Sequence, residues 1–138
     1  MPADMPKGTA LIVDNEPQAL TALRTLLEQW GWRVLTASDA ANALELTRNE
    51  RPDIAILDYH LAGGDNGLDL YTKLQIILGD IPAAILTADR DAALRKRTLE
   101  LGLMLLYKPL KPLALKQVLR KSEGAGVRFV ASTLTPQD

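Results

Sequence analysis

Five short apolar runs, each followed by a stretch of helical periodicity, constrain this chain more than any other feature. The runs are "TALIVD" (Thr9–Asp14), "WRVLTA" (Trp32–Ala37), "DIAILD" (Asp53–Asp58), "IPAAILTA" (Ile81–Ala88) and "LMLLYKP" (Leu103–Pro109). All but the second are nearly continuous in apolar character, the pattern of parallel strands covered on both faces. The first helical stretch, "EPQALTALRTLLEQWG", puts Leu20, Leu23, Leu27 and Trp30 on one side, with Pro17 suited to its first turn and Gly31 to its stop. In the second, Ser38 or Asp39 is the candidate N-cap, and Pro52 lies beyond its end. "GLDLYTKLQIIL" aligns Leu70, Leu74, Ile77 and Leu78, "DRDAALRKRTLELG" stops at Gly102, and "PLALKQVLRKSEG" turns Leu115, Val118 and Leu119 inward. Strand–helix alternation of this kind predicts an α/β fold. It is an open, doubly wound, five-stranded parallel sheet with right-handed crossovers and helices on both faces.

A chain of 138 residues, 47% of them hydrophobic, suits one domain with a single core. The expected boundaries are an extension over residues 1–8, the folded domain over 9–122, and a tail or linker over 123–138. Cysteine is absent, which removes disulfides and thiolate metal sites from consideration. The net charge is -1 and no basic stripe shows along the sequence, so no nucleic-acid partner is expected. "MPADMPKGTA" has no apolar signal core and no run approaches the ~18 residues of a membrane span. A cytoplasmic protein without membrane contact is the expectation.

In a sheet wound this way, ligands bind outside the carboxyl ends of the strands. Those ends carry Asp14, followed by Asn15 and Glu16; Asp58; Thr87, followed by Ala88 and Asp89; and Lys108, followed by Pro109. A carboxylate is a competent nucleophile toward phosphorus and yields an acyl phosphate. Hard oxygen donors suit Mg²⁺, which takes one or two carboxylates and keeps waters. The ammonium and the hydroxyl suit phosphoryl oxygens. The set therefore reads as phosphoryl chemistry on an aspartate.

"LIVDNEP", "ILDYHL", "ILTA" and "YKP", in that order, resemble the receiver domains of bacterial two-component signalling. The resemblance runs from about Thr9 to Lys121. "EQWGWRVLTA" and "LDYHLAGGDNGLDL" are most similar to receivers of hybrid sensor histidine kinases. It implies a flavodoxin-like strand order 2-1-3-4-5 and Asp58 as phosphoacceptor, with Thr87 as switch hydroxyl and Lys108 as phosphate-binding ammonium. It also implies Mg²⁺ held by Asp14, Asn15, Asp58 and the backbone carbonyl of His60, and a Lys108–Pro109 bond of the cis type. A histidine kinase or histidine phosphotransfer domain would be the partner, with a homodimer as a further arrangement. No independent enzyme is expected beyond Mg²⁺-dependent phosphorylation and dephosphorylation of Asp58.

Three departures stand out. Asn15 occupies a position where the family has a second acid. Ala62 replaces a common proline after the acceptor and Gly67 arrives one residue late, predicting a longer, looser loop. Leu105 stands where a switch aromatic is usual, while Tyr107 points to the opposite side of its strand from Lys108. An alternative reading is a non-phosphorylated pseudo-receiver acting as a protein-interaction module. A flavin-binding protein of similar topology is a third, but "DNEPQ" would set an acidic turn where a phosphate cradle is needed.

Overall fold

The computed structural model describes residues 6–123. Residues 1–5 of the expected extension, and all of the expected tail except Glu123, lie outside the described residues. The elements run β1 (Thr9–Val13), α1 (Pro17–Gln29), β2 (Arg33–Ala37), α2 (Ala40–Thr47), β3 (Ile54–Asp58), α3 (Gly67–Leu78), β4 (Ala83–Thr87), α4 (Ala92–Glu100), β5 (Met104–Tyr107) and α5 (Pro112–Glu123). The strands form one sheet in the order β2-β1-β3-β4-β5, and every pairing is parallel. The expected strands and helices are all present; the strands are a residue or more shorter than their apolar runs.

Alternation along each strand divides the core into two layers. Leu11, Val13, Leu57 and Ile85 face α2, α3 and α4. Ala10, Ile12, Ile54, Ile56 and Leu86 face α1 and α5, against Leu23, Leu27, Leu115, Val118 and Leu119. Ile77 departs from expectation and is 55% exposed. The buried residues of α3 are Gly67, Leu68, Leu70, Tyr71 and Leu74, with Leu78 partly buried, which leaves Ile77 at the margin of the stripe.

Helix ends follow local chemistry. Pro17 opens α1, where its missing N–H costs no hydrogen bond. Asp39, rather than Ser38, caps α2 by accepting from the Asn42 N–H at 2.8 Å. Asn66 and Asp69 form a reciprocal capping box on α3, each side chain bonding the other's backbone N–H.

Register explains the rim. Val13 pairs with Leu57, so Asp14 and Asp58 stand in one row at the end of the sheet. Asp58 pairs with Leu86 and Thr87 with Tyr107, so Thr87 lies one row further out and Lys108 two. Only a long side chain can reach back from there, since each residue advances a strand by about 3.3 Å.

Candidate active site at the carboxyl ends of the strands

Asp14 and Asp58 are 0% and 3% exposed, unusual burial for carboxylates. Lys108 reaches both. Its Nζ donates to Asp58 Oδ2 at 3.0 Å and lies 3.4 Å from Asp14 Oδ2. Glu16 Oε1, on the open side, is 3.7 Å from the same ammonium. The Lys108 backbone is anchored by its N–H to the Thr87 carbonyl at 2.9 Å and by the cis peptide to Pro109, as the resemblance implied.

Two buried carboxylates thus share one ammonium. Burial, above all, pushes the Asp58 carboxyl above its ordinary value; the Lys108 hydrogen bond pulls down and the neighbouring Asp14 charge pushes up. Burial would lower the Lys108 ammonium, but the hydrogen bond to Asp58 and the charges of Asp58 and Asp14 outweigh it and raise it. Lys108 is therefore a fixed cation and Asp58 a strained anion.

Asp14 Oδ1 accepts from the Glu16 N–H at 3.0 Å, whereas Asp14 Oδ2 is buried without a hydrogen-bond partner among the described residues. A buried carboxylate oxygen that has an ion pair but no hydrogen bond, beside a second carboxylate, fits a hard cation. No group of three or more His, Cys, Asp or Glu side chains able to hold a metal occurs among the described residues. Two carboxylates completed by amide or backbone oxygens and water are the donor set Mg²⁺ accepts. Asn15 is exposed on the rim directly after Asp14.

The Thr87 hydroxyl is buried and engages the next loop: it accepts from the Asp89 N–H at 2.9 Å. Its own proton remains available to an oxygen arriving in the site. His60 is exposed; its N–H points to Asp58 Oδ1 at a long 3.4 Å, and its ring meets Tyr59 edge-on.

The loop after Asp58 is not loose. His60 and Asn66 bridge across it, Ala62 bridges to Asp39, and Lys73 holds Asp65 at 2.7 Å. Gly63 and Gly64, at φ 87° and 98°, take up the extra length. Gly67 then presses against the Asp58 backbone: a Cβ there would stand 2.6 Å from the Asp58 carbonyl oxygen. A residue that looks displaced in sequence is in close-packed register in space.

Sequence reasoning missed Arg90, whose guanidinium lies 4.2 Å from the centroid of the Tyr107 ring. It also underplayed Asn66, although a cap residue followed three positions later by Asp69 is a legible signal.

A family model described as "Response regulator receiver domain" matches residues 10–120. Curated relatives include the probable transcriptional regulator ycf27 of Guillardia theta, 39% identical over 83% of this chain and 44% of its own length. The alkaline phosphatase synthesis transcriptional regulatory protein PhoP of Bacillus subtilis is 35% identical over 82% of this chain and 49% of its own. The chain thus spans less than half the length of these relatives. Among solved structures, the chemotaxis protein CheY4 of Vibrio cholerae superposes with a TM-score of 0.76 at 22% identity, covering 86% of this chain and 98% of that one. A response regulator from Chloroflexus aurantiacus gives 0.77 at 27% identity, over 86% of this chain and 98% of that one. The extent of the family match removes the flavin-binding reading, and the chain belongs to the response regulator receiver domains, the phosphoacceptor modules of two-component signalling.

Proposed function

We propose that Asp58 is the residue phosphorylated, by transfer from the phosphohistidine of a histidine kinase or a histidine phosphotransfer domain. The observation that carries this reading is the buried Asp58 carboxylate at its strand end, 3.0 Å from Lys108 Nζ. An Asp58 oxygen attacks phosphorus; the O–P bond forms as the N–P bond to the donor imidazole breaks and its electron pair returns to that nitrogen. Lys108, pre-anchored at its backbone, transfers its hydrogen bond from the carboxylate to a phosphoryl oxygen. Thr87 donates its free proton to another. Asp14, Asn15, Asp58 and the His60 carbonyl would hold Mg²⁺, which would supply positive charge to the transferring group.

Incubation with acetyl phosphate and Mg²⁺ tests the assignment. Intact mass should rise by one phosphate, and Asp58→Asn should abolish the gain. A gain that survives in Asp58→Asn overturns it.

Asn15 favours a second reading, since an amide brings no charge to the metal. On that reading the chain is an interaction module that is never phosphorylated, and no mass gain appears even in the wild type. Asn15→Asp should tighten Mg²⁺ binding about tenfold if the missing acid is what weakens the site; equal affinity in the two proteins sinks that explanation.

The relatives' names as transcriptional regulators support a DNA-directed output in a longer protein, while the motif resemblance supports a hybrid kinase. In either case this domain supplies the phosphorylated switch. No helix among the described residues is long and apolar enough to cross a membrane.

A further inference from the structure

Of the chain's asparagines, Asn15, Asn42, Asn49 and Asn66, only Asn66 is followed by glycine. An Asn-Gly step is chemically labile, because glycine has no Cβ to hinder attack by its own nitrogen. The Gly67 nitrogen gives its proton to hydroxide or water and attacks Asn66 Cγ. The new C–N bond closes a cyclic imide as the bond from Cγ to the side-chain nitrogen breaks, and that nitrogen takes up a proton and leaves as ammonia. Water then opens the imide. Attack at Cγ restores the original main chain and leaves an ordinary aspartate. Attack at the other carbonyl leaves the chain running through Cβ and Cγ as isoaspartate, one methylene longer.

The fold holds this step back. Gly67 is buried and its N–H donates to the Tyr59 carbonyl at 2.8 Å, so the attacking nitrogen is already committed. Asn66 Oδ1 accepts from the Asp69 N–H at 2.8 Å, and Asp69 Oδ2 accepts from the Asn66 N–H at 3.1 Å. These two bonds fix the Asn66 carboxamide as the cap of α3. Its Nδ2 adds a long contact of 3.5 Å to the Tyr59 hydroxyl. Imide closure requires Gly67 to leave the Tyr59 carbonyl and the carboxamide to turn off the Asp69 N–H. It therefore requires the turn between β3 and α3 to open.

The consequence of opening falls on Asp58. Gly67 has no slack: a Cβ there would stand 2.6 Å from the Asp58 carbonyl oxygen and 3.1 Å from Tyr59 Cα. A main chain lengthened by a methylene directly before Gly67 cannot keep both this contact and the cap of α3. It also places a new carboxylate between Asp65 and Asp69, where like charges repel. An ordinary aspartate, by contrast, caps a helix as well as asparagine does.

We infer that Asn66–Gly67 is a latent modification site, kept as the amide by the closed β3–α3 turn and converted on opening to isoaspartate, which unseats the strand end that carries Asp58. The change is one-way, so the protein accumulates a covalent record of how often this turn opens. The inference rests on local chemistry and packing and holds whether or not Asp58 is phosphorylated.

The test follows the full chain at mildly alkaline pH by peptide mapping, with fragmentation that separates aspartate from isoaspartate. In urea, Asn66 should convert more than about tenfold faster than in the folded protein. In the same urea sample it should outpace Asn15, Asn42 and Asn49. Asp69→Ala removes one bond of the cap and should raise the folded-state rate about fivefold. Circular dichroism checks that this variant folds; should it not, the comparison of folded and urea-treated wild type decides the matter. Asn66→Ser keeps a capping oxygen without an amide, so it should fold like the wild type and show no conversion at this position. The isoaspartate form, isolated by anion exchange, should unfold at a lower urea concentration than the wild type, and Asn66→Asp should lose less. Equal conversion in the folded chain and in urea overturns the inference. So does an isoaspartate form as stable as the wild type, or a folded Asp69→Ala whose rate is unchanged. No readout uses phosphorylation, which separates failure here from failure of the phosphoacceptor assignment.

Discussion

The two ends of the sheet handle charge in opposite ways. At the amino end, Arg33 embraces Glu50 with two hydrogen bonds of 2.5 and 2.8 Å, and Thr9 Oγ1 adds a third to the same carboxylate. Asp53 accepts the Thr9 N–H at 2.8 Å. These groups are matched and largely in water. At the carboxyl end, Asp14 and Asp58 are buried and share Lys108, and Asp14 Oδ2, paired with the ammonium only at 3.4 Å, makes no hydrogen bond among the described residues. The amino end is resolved locally and closes the fold. The carboxyl end is left electrostatically incomplete, as the binding of a cation and a phosphoryl group proposed above requires.

Two glycines offer the widest test of that contrast. Gly67 abuts the Asp58 backbone, which cannot yield, whereas a Cβ on Gly8 would meet side-chain atoms of Trp32 and Asp53 at 2.9 and 3.0 Å. Gly67→Ala is expected to cost about 3 kcal/mol in urea unfolding and to suppress acetyl phosphate labelling by shifting Asp58. Gly8→Ala should cost less and leave labelling unchanged. Equal costs at both positions would remove the contrast in rigidity.

The next largest effect is expected at Lys108. Removing the counter-charge of a fully buried pair costs about 3–5 kcal/mol. Lys108 is 27% exposed along its side chain, so partial solvation reduces the expected cost of Lys108→Met to about 2 kcal/mol near neutral pH. The cost should shrink in acid, where Asp58 becomes neutral. A pH-independent cost would mean that packing of the lysine stem, not charge, is what the variant removes.

The fold was legible in the sequence because four of the five strands are nearly continuous apolar runs and the stretches between them carry an apolar stripe, a cap or a stop. The rim residues were legible for a related reason: a charge or hydroxyl that ends a buried run, as Asp58 ends "AILD", conflicts with its surroundings unless it serves the strand end. What was not legible depends on distance between segments. The spacing of Gly67 counts residues, while its role depends on how Gly63 and Gly64 fold the insertion away. Arg90 meets Tyr107 only after β4 and β5 pair.

Asp58 itself tests whether the carboxyl end stores destabilising charge. Its folded-state pKa is raised, chiefly by burial, so the folded protein holds that proton more tightly than the unfolded chain. Ionisation therefore erodes stability as pH rises from the ordinary carboxylate value of about 3.9 through the raised one. Metal-free Asp58→Asn should be more stable than the wild type above that window, by about 1 kcal/mol, and indistinguishable below it. Mg²⁺ at ten times its Kd should add about 1.4 kcal/mol to the wild type and much less to the variant, narrowing the gap. A variant less stable than the wild type at every pH would show that the Lys108 hydrogen bond outweighs burial.

The smallest effect is expected from the most visible ion pair. Arg33 and Glu50 shift each other's pKa, Arg33 upward and Glu50 downward, mainly through their hydrogen bond. Both groups stay solvated, so holding two long side chains in one geometry offsets much of the gain, and salt screens the rest. Because the folded pKa of Glu50 is lowered, whatever the pair contributes is present above the ordinary carboxylate range and lost as pH falls through the lowered value. That is the reverse of the slope expected at Asp58. Glu50→Gln should shift the melting temperature less than any variant above, and the shift should fade in high salt. If instead it matches Lys108→Met and resists salt, the amino end is as electrostatically committed as the carboxyl end, and solvation does not separate them.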